Sequence, residues 1–319
     1  MKKFFAVLLA GVLACAALGG CQAQDPRYPL SAQRIQADTE YLCNVIGDRP
    51  TGTEKEVQAC DWLEEQLEGM GFSYKAGNLE RMGFQGFKEM TSENLIAVCN
   101  QDSSGPILCV MAHYDSVEGC PGARDNGAAV ATLLEMARYL GTERPDLDAQ
   151  VRLLFLGSEE NGYHGASAYV ESLTQEELQR HLVAYNIENS AASPGEGAVL
   201  MCGTIGGVQD GVYQEGNFLE PMDNLASRTV SSAYQELYNG EDLPVFQMGG
   251  SDHRIFHEVE IEAANVCWKY IRDGFPKVPE QYHQPTDTPD GMDFDTAVIT
   301  GRCILDALYT LTDSQATEA

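Results

Sequence analysis

Two periods of apolar spacing divide the chain. Residues 31–46 carry apolar positions at helical intervals and run into a turn, Gly47-Asp48-Arg49-Pro50-Thr51-Gly52. Thr53 then caps a second amphipathic helix, with Glu56 three residues on as in a capping box and Val57, Cys60, Trp62, Leu63 and Leu67 turned inward. Residues 72–76 and 94–99 read as strands, and the second is expected to form a hairpin with 107–112 across the polar turn 100–105. The run from Pro106 to Ala112 is apolar and partly β-branched, and it stops abruptly at His113-Tyr114-Asp115. That is the signature of a buried strand delivering polar side chains to the end of a sheet, where ligands of open α/β sheets sit. A Gly-rich loop leads to Asp125 and to a helix with Val130, Leu133, Leu134, Met136 and Ala137 on one face. Residues 151–157 form a third buried strand ending in Ser158-Glu159-Glu160-Asn161-Gly162, 165–173 a short helix, and 182–187 a fourth strand ending in Glu188-Asn189-Ser190. An irregular Gly-rich segment at 206–217, a helix at 222–238, strands at 244–248 and 263–268, polar loops at 249–253 and 282–288, and a last helix at 294–311 complete the pattern.

Strands alternating with helices predict an α/β protein with a mainly parallel sheet and an antiparallel hairpin at one edge. No repeat, low-complexity tract or internal linker interrupts it, so residues 31–319 read as one domain. Met1-Lys2-Lys3 precedes an apolar stretch over 4–17 that is too short for an ordinary membrane span, the make-up of a secretion signal. Leu18-Gly19-Gly20-Cys21 resembles the bacterial lipobox, in which the cysteine becomes the lipidated first residue. Val12-Leu13-Ala14-Cys15 fits less well because it leaves a shorter apolar run, and plain secretion is the alternative. The expectation is a lipoprotein signal peptide over 1–20, a tether over 21–30 with Cys21 as lipid anchor, and an exported protein at the cell surface or in the periplasm.

Composition narrows the partners. Twenty basic against 48 acidic residues give a net charge of −28, which disfavours nucleic acid and anionic lipid surfaces. Solubility at a cell surface accounts for the acidity, although an acidic mouth also favours cationic groups such as a peptide amine. Beyond Cys15 and Cys21 there are eight cysteines, Cys43, Cys60, Cys99, Cys109, Cys120, Cys202, Cys267 and Cys303. An even number in an exported chain permits disulfides, but Cys99 and Cys109 sit in expected strands as small apolar residues, and the absence of CxxC argues against a cysteine-bound structural zinc.

Three strands thus end in His113/Asp115, Glu159/Glu160 and Glu188/Asn189, with Asp125 at a loop–helix junction. Imidazole and carboxylates converging at one sheet edge are the donor vocabulary of a metal site. A lone His-x-Asp is more often a satisfied polar pair; the two further strand ends change that reading. Ser251-Asp252-His253 holds the letters of a serine-hydrolase triad, but contiguous residues cannot act as nucleophile, base and orienter, and no G-x-S-x-G elbow is present. Its role is structural, near the metal loop, with His253 either supporting a ligand or simply a buried hydrogen-bonded histidine. His257-Glu258 lacks the second histidine of a zincin, and His164 reads as a loop-surface residue.

The ordered set His113-x-Asp115, Asp125-Asn126, Glu159-Glu160, Glu188, Ser251-Asp252-His253 and Tyr282-His283 resembles the co-catalytic zinc aminopeptidase family that includes bacterial leucyl aminopeptidases, aminopeptidase Y and glutamate carboxypeptidase II. The resemblance runs from Arg49 to the last helix. It implies the zinc exopeptidase fold, a three-layer α/β/α sandwich around a central mixed, mostly parallel sheet. It also implies two zinc ions per chain sharing Asp125, one taking His113 and Glu188 and the other Glu160 and His283. Glu159 would be the general base that takes a proton from the attacking water, and Asp115 would orient His113. Tyr282 would be an oxyanion donor or, equally, a packing residue beside His283. The family tends to hold the Asp125–Asn126 peptide cis. One departure stands out: the family has aspartate where this chain has Glu188, and the extra methylene moves the carboxylate by roughly an ångström or more. The implied activity is removal of N-terminal residues from peptides. The alternatives are a glutaminyl-peptide cyclase with one zinc and a catalytically weak, surface-tethered peptide-binding domain. The binding-domain alternative predicts loss of Asp125, Glu159 or Glu160, and all three are present.

Overall fold

The computed structural model describes residues 27–143, 147–203, 207–209, 212–214, 223–247 and 250–316. The signal segment 1–20, Cys21 and most of the tether lie outside these residues, as do Met222, Met248, Gly249 and parts of 206–217.

Helix α1 (Ala32–Glu40) runs on through a wider π turn at Tyr41–Ile46, and α2 (Glu54–Gly69) follows the Arg49 turn. An edge strand β1 (Leu79–Gln85) leads to β2 (Thr91–Cys99) and β3 (Ile107–His113), and α3 (Ala128–Glu143) leads to β4 (Gln150–Leu156). Helices α4 (His164–Ser172) and α5 (Gln175–Arg180) precede β5 (His181–Glu188) and β6 (Gly197–Cys202). Then come β7 (Gly207–Gln209), β8 (Val212–Gln214), α6 (Leu225–Tyr238), β9 (Val245–Gln247), α7 (His253–Glu258), β10 (Glu262–Arg272), β11 (Phe275–Lys277) and α8 (Phe294–Ala316).

The main sheet runs β1-β2-β4-β3-β5-β10-β6-β9, with β11 added to β10. Its centre, β4-β3-β5-β10, is parallel, while β1-β2, β2-β4, β10-β6 and β10-β11 are antiparallel. Every residue of β3 is buried, as a strand covered on both faces requires. Its side chains alternate between two cores. Leu108, Val110 and Ala112 pack with α3, α8 and the helices beside them, whereas Ile107, Cys109 and Met111 pack with Ala166 and Tyr169 of α4 and Phe256 of α7. The connection from β3 to β4 and the return from β4 across β3 to β5 run in opposite directions. Right-handed crossovers therefore place α3 on one face and α4–α5 on the other. The strand order reverses at β3, which opens a crevice at the carboxyl ends of β3, β4 and β5.

Several sequence-based expectations are corrected. Residues 72–76 form a turn in which Ser73 N donates to Asn78 Oδ1 at 2.8 Å, and the edge strand is β1 instead. Residues 94–99 do not pair with 107–112, because β4 inserts between them and gives each of these apolar strands a second neighbour. Part of 206–217 is a two-stranded ribbon, β7 against β8. Val57 faces out at 44% exposure, and Thr53 Oγ1 accepts from Glu56 N while the Glu56 carboxylate turns to Gly52 N and Ser92 Oγ rather than closing the cap. His164 opens α4 half-buried beside Gly86 rather than standing on a surface loop. The eight described cysteines are thiols, seven of them buried.

The turn before α2 is fixed to the β3 loop by Arg49, whose side chain is fully buried. Its Nε donates to Tyr114 O at 2.8 Å, its Nη1 to Gly47 O and Pro121 O at 2.7 Å each and to Leu42 O at 3.4 Å, and its Nη2 to Gly122 O at 3.2 Å. Gly122 sits at φ +64°, and a Cβ there would lie 2.7 Å from the Asp125 carbonyl oxygen, so only glycine lets the loop close over the guanidinium. Arg49→Met keeps the volume but orphans these buried carbonyls. It is expected to cost about 3 kcal/mol or more, read as a fall in Tm by thermal denaturation. An unchanged Tm would overturn the clamp.

Candidate metal centre

His113 ends β3 on the face that carries α7, and β5 places Glu188 on the same face one strand over. His113 Nε2 lies 3.3 Å from Asp125 Oδ1 and 3.4 Å from Glu188 Oε1. Across the crevice His283 Nε2 lies 2.9 Å from Glu160 Oε2 and 3.4 Å from Asp125 Oδ2. The two oxygens of Asp125 therefore face one imidazole each. Donor atoms gather into two groups, His113 with Glu159 and Glu188, and Asp125 with Glu160 and His283, each within 4.8 Å. All the residues named from sequence as metal ligands meet here, and Glu159, expected to stand free of metal, belongs to the first group. Tyr282 stacks on His283 with ring centroids 3.6 Å apart and reaches the cavity beside the carboxylates.

Other side chains hold these donors in place. His113 Nδ1 lies 3.2 Å from the Asp115 carbonyl oxygen and 3.4 Å from its carboxylate. That carboxylate also accepts from Glu159 N at 3.0 Å, Glu160 N at 3.2 Å and Thr51 Oγ1 at 3.2 Å, so Asp115 fastens the loop after β4 to the end of β3 as well as steering the imidazole. Ser251 Oγ donates to Glu188 Oε1 at 2.7 Å and accepts from Asn186 Nδ2 at 2.8 Å, which is the structural role expected of its loop. Asn126 Nδ2 donates to Ile187 O at 2.8 Å, and the Asp125–Asn126 peptide is cis. Sequence reasoning missed Asp287. Its oxygens accept from Arg124 N at 2.8 Å and Asp125 N at 3.2 Å, tying the His283 loop to the Asp125 loop, and only its place four residues after His283 hinted at this. It also undervalued Asp252, fully buried with neither oxygen hydrogen-bonded.

The electrostatics follow from burying so many acids together. Burial pushes the His113 imidazole down, but Glu159 and Glu188, with Asp115 and Asp125, overcome it and leave it well above its ordinary value. Burial pushes Asp125 up, yet the His113 and His283 imidazoles facing its two oxygens hold it below the usual carboxylate range. Glu159 is driven well above its ordinary value by burial, against His113 and reinforced by Asp252, Glu188 and Glu160. Glu160 is pushed up to about 9 by burial and Asp125, and Asp252 to about 8 by burial with Glu188 and Asp115 adding to it.

These residues fit zinc. His113 Nε2, His283 Nε2 and Glu160 Oε1 are buried without hydrogen-bond partners, and all three point into the donor groups. Imidazole nitrogen with carboxylate oxygen is a donor set that zinc accepts, and a divalent cation would offset charge that the protein leaves uncompensated.

The chain matches the model of a family described as peptidase family M28 over residues 94–308. It is 32% identical over 228 residues to aminopeptidase YwaD of Bacillus subtilis, and 32% identical over 225 residues to the probable lipoprotein aminopeptidase LpqL of Mycobacterium tuberculosis. Those alignments cover 70% and 66% of this chain but only 45% and 43% of the relatives, so the chain spans less than half the length of either. Among solved structures, BSAP, a zinc aminopeptidase from Bacillus subtilis, superposes with a TM-score of 0.76 at 19% identity, covering 89% of this chain and 95% of that one.

Zinc added to the metal-free protein at neutral pH is expected to release protons, because Glu160 and Asp252 hold theirs up to about 9 and about 8. Calorimetry in buffers of differing ionisation enthalpy measures the number. Glu160 binds its proton more tightly folded, at about 9, than at its ordinary 4.5, so its contribution to stability is complete below 4.5 and lost as pH rises through about 9. With chelator present, Tm should therefore fall as pH rises from about 5 to about 9, and zinc should flatten that slope. A Tm that climbs with pH in chelator would refute it.

Proposed function

The chain belongs to peptidase family M28, and from that premise we propose that it is a zinc-dependent exopeptidase of the aminopeptidase type, hydrolysing N-terminal residues from peptides. The observation that carries this reading is Asp125, whose oxygens divide between two imidazole–carboxylate sets at 3.3 and 3.4 Å. One zinc would be held by His113, Glu188 and Asp125, and a second by Glu160, His283 and Asp125. Zinc bound there supplies a Lewis acid that polarises the scissile carbonyl and makes water a nucleophile near neutral pH.

The chain's own residues do the rest. Glu159, fixed by the hydrogen bond from its N–H to Asp115, takes a proton from the attacking water and returns it to the leaving amine. Tyr282 O–H donates to the oxyanion that develops on the carbonyl. The surrounding acids draw in the substrate's α-ammonium. The presence of both donor sets together with Glu159 favours this hydrolase over a one-zinc cyclase or a degenerate binding domain. For location we propose export and lipid anchoring through Cys21, supported by Leu18-Gly19-Gly20-Cys21 and by a lipoprotein relative at 32% identity. No helix among the described residues is long and apolar enough to cross a membrane. Residues 31–319 would then form a single catalytic domain behind a short tether.

The test uses the chain from Gln22 onward, with its metal counted and a panel of free-amine, N-blocked and N-terminal-glutamine peptides assayed before and after chelation with zinc add-back. The expected result is about two zinc ions per chain and metal-dependent cleavage of the free-amine peptides alone. One zinc with cyclisation of glutamine would replace the reading by a cyclase, and bound metal without turnover by a binding domain. Glu159→Gln should lower kcat by about 10²–10⁴ while the metal content stays, and loss of the metal instead would make Glu159 a ligand. Glu188→Asp restores the family's residue but withdraws the carboxylate from Ser251 Oγ. It should weaken zinc by about 10–100-fold in chelator competition, and unchanged affinity would remove Glu188 from the site.

A further inference from the structure

Beside the carboxylates, the cavity next to the two donor sets has a second wall of different character. About 120 Å³ in volume, it is lined there by Met201 of β6, Asn265 and Lys269 of β10, Lys277 of β11 and Val278. Asn265 and Lys269 stand four residues apart on one strand and so share a face of the sheet. It is the face that carries Glu188, since β10 pairs directly with β5, Asn265 opposite Asn186 and Cys267 opposite Glu188. Asn265 is fully buried, and neither its Oδ1 nor its Nδ2 has a hydrogen-bond partner. A buried amide left unpaired carries a desolvation penalty that a polar group entering the cavity removes. Half-buried Lys269 lines the same space, and its charge reaches Asp125 without an ion-pair contact to an acidic side chain among the described residues.

We infer that this wall is a receptor for a substrate carboxylate, Lys269 supplying the charge and Asn265 Nδ2 a hydrogen bond, so that the enzyme prefers peptides beginning with glutamate or aspartate. The inference rests on the aminopeptidase reading, in which the substrate's ammonium faces the acids while its first side chain turns to the second wall. Two lysines, Lys269 and the exposed Lys277, beside a buried, unpaired amide favour an anion, whereas an aliphatic side chain would leave that amide unpaired. The C-terminal carboxylate of a dipeptide offers the same chemistry from another source.

The experiment measures kcat/KM of the zinc-loaded chain from Gln22 onward on C-terminally amidated peptides beginning with Glu, Gln, Leu or Lys, and on Ala-Ala with its C-terminus free or amidated. Glutamate should exceed its isostere glutamine at least tenfold. Lys269→Met should erase at least tenfold of that ratio, and Lys269→Glu should shift preference toward lysine. A tenfold preference for free over amidated Ala-Ala, lost in Lys269→Met, would assign the carboxylate to the C-terminus of a dipeptide. A Glu/Gln ratio near one, a preference for leucine, or ratios indifferent to both substitutions would overturn the receptor. Calorimetric binding of free glutamate and glutamine separates this from failure of the hydrolase reading. If no peptide is cleaved yet glutamate binds tenfold tighter in a Lys269-dependent way, the receptor stands and hydrolysis falls; without that discrimination the receptor falls too.

Discussion

Six carboxylates, those of Asp115, Asp125, Glu159, Glu160, Glu188 and Asp252, are drawn out of water at one end of a sheet, with two imidazoles among them and two lysines at the cavity's edge to answer them among the described residues. Like charges at such separations cannot all ionise in a site of low polarisability, and the chain resolves this partly by protonation and partly by leaving donor atoms aimed at a common space. Much of the surrounding architecture keeps the acids where they repel one another. The parallel register of β3 and β5 sets the His113 to Glu188 spacing, Asp115 fastens the Glu159–Glu160 loop, Asp287 grips the backbone of Asp125, and the Arg49 guanidinium closes the loop between them.

The centre of the fold and part of the donor set were legible in the sequence for one reason, while Asp125 and His283 were named as ligands only through the family resemblance. A buried parallel strand is a continuous apolar run, and a polar residue at its end is conspicuous, so His113, Glu159, Glu160 and Glu188 announced themselves. What was hidden depends on which pieces meet. Strand β1, Leu-Glu-Arg-Met-Gly-Phe-Gln, lies at an edge, has no apolar run and escaped notice. The turn at 100–105 is good hairpin chemistry, but local chemistry carries no record of β4 sliding between its two strands. Asp287, Asn186 and Asn265 act across 60 residues or more, or through an amide that nothing nearby in sequence satisfies. Asp252 was read for its letters beside Ser251 and His253, whereas its importance lies in the company it keeps.

The proposed chemistry and the proposed selectivity draw on different side chains of one sheet. The donors stand at strand ends and in the loops behind them, while the second cavity wall comes from β6, β10 and the segment from β11 on, β10 pairing parallel with β5 and antiparallel with β6 and β11. The fold is shared with a zinc aminopeptidase at 19% identity, a level at which a wall of this kind is free to differ while strand ends keep their register. A family can then vary what it accepts without disturbing how it reacts.

The donors also have an order in time. The first stands at position 113 and the last at 283, with the Asp287 grip four residues beyond. A growing polypeptide therefore gathers every acid of the cluster well before it possesses His283, the second imidazole, or the carboxylate that anchors Asp125. A chain cut short before position 283 would keep every acid of the cluster and lose both the second imidazole and the carboxylate that grips Asp125, so the last stretch of sequence is what completes the binding place.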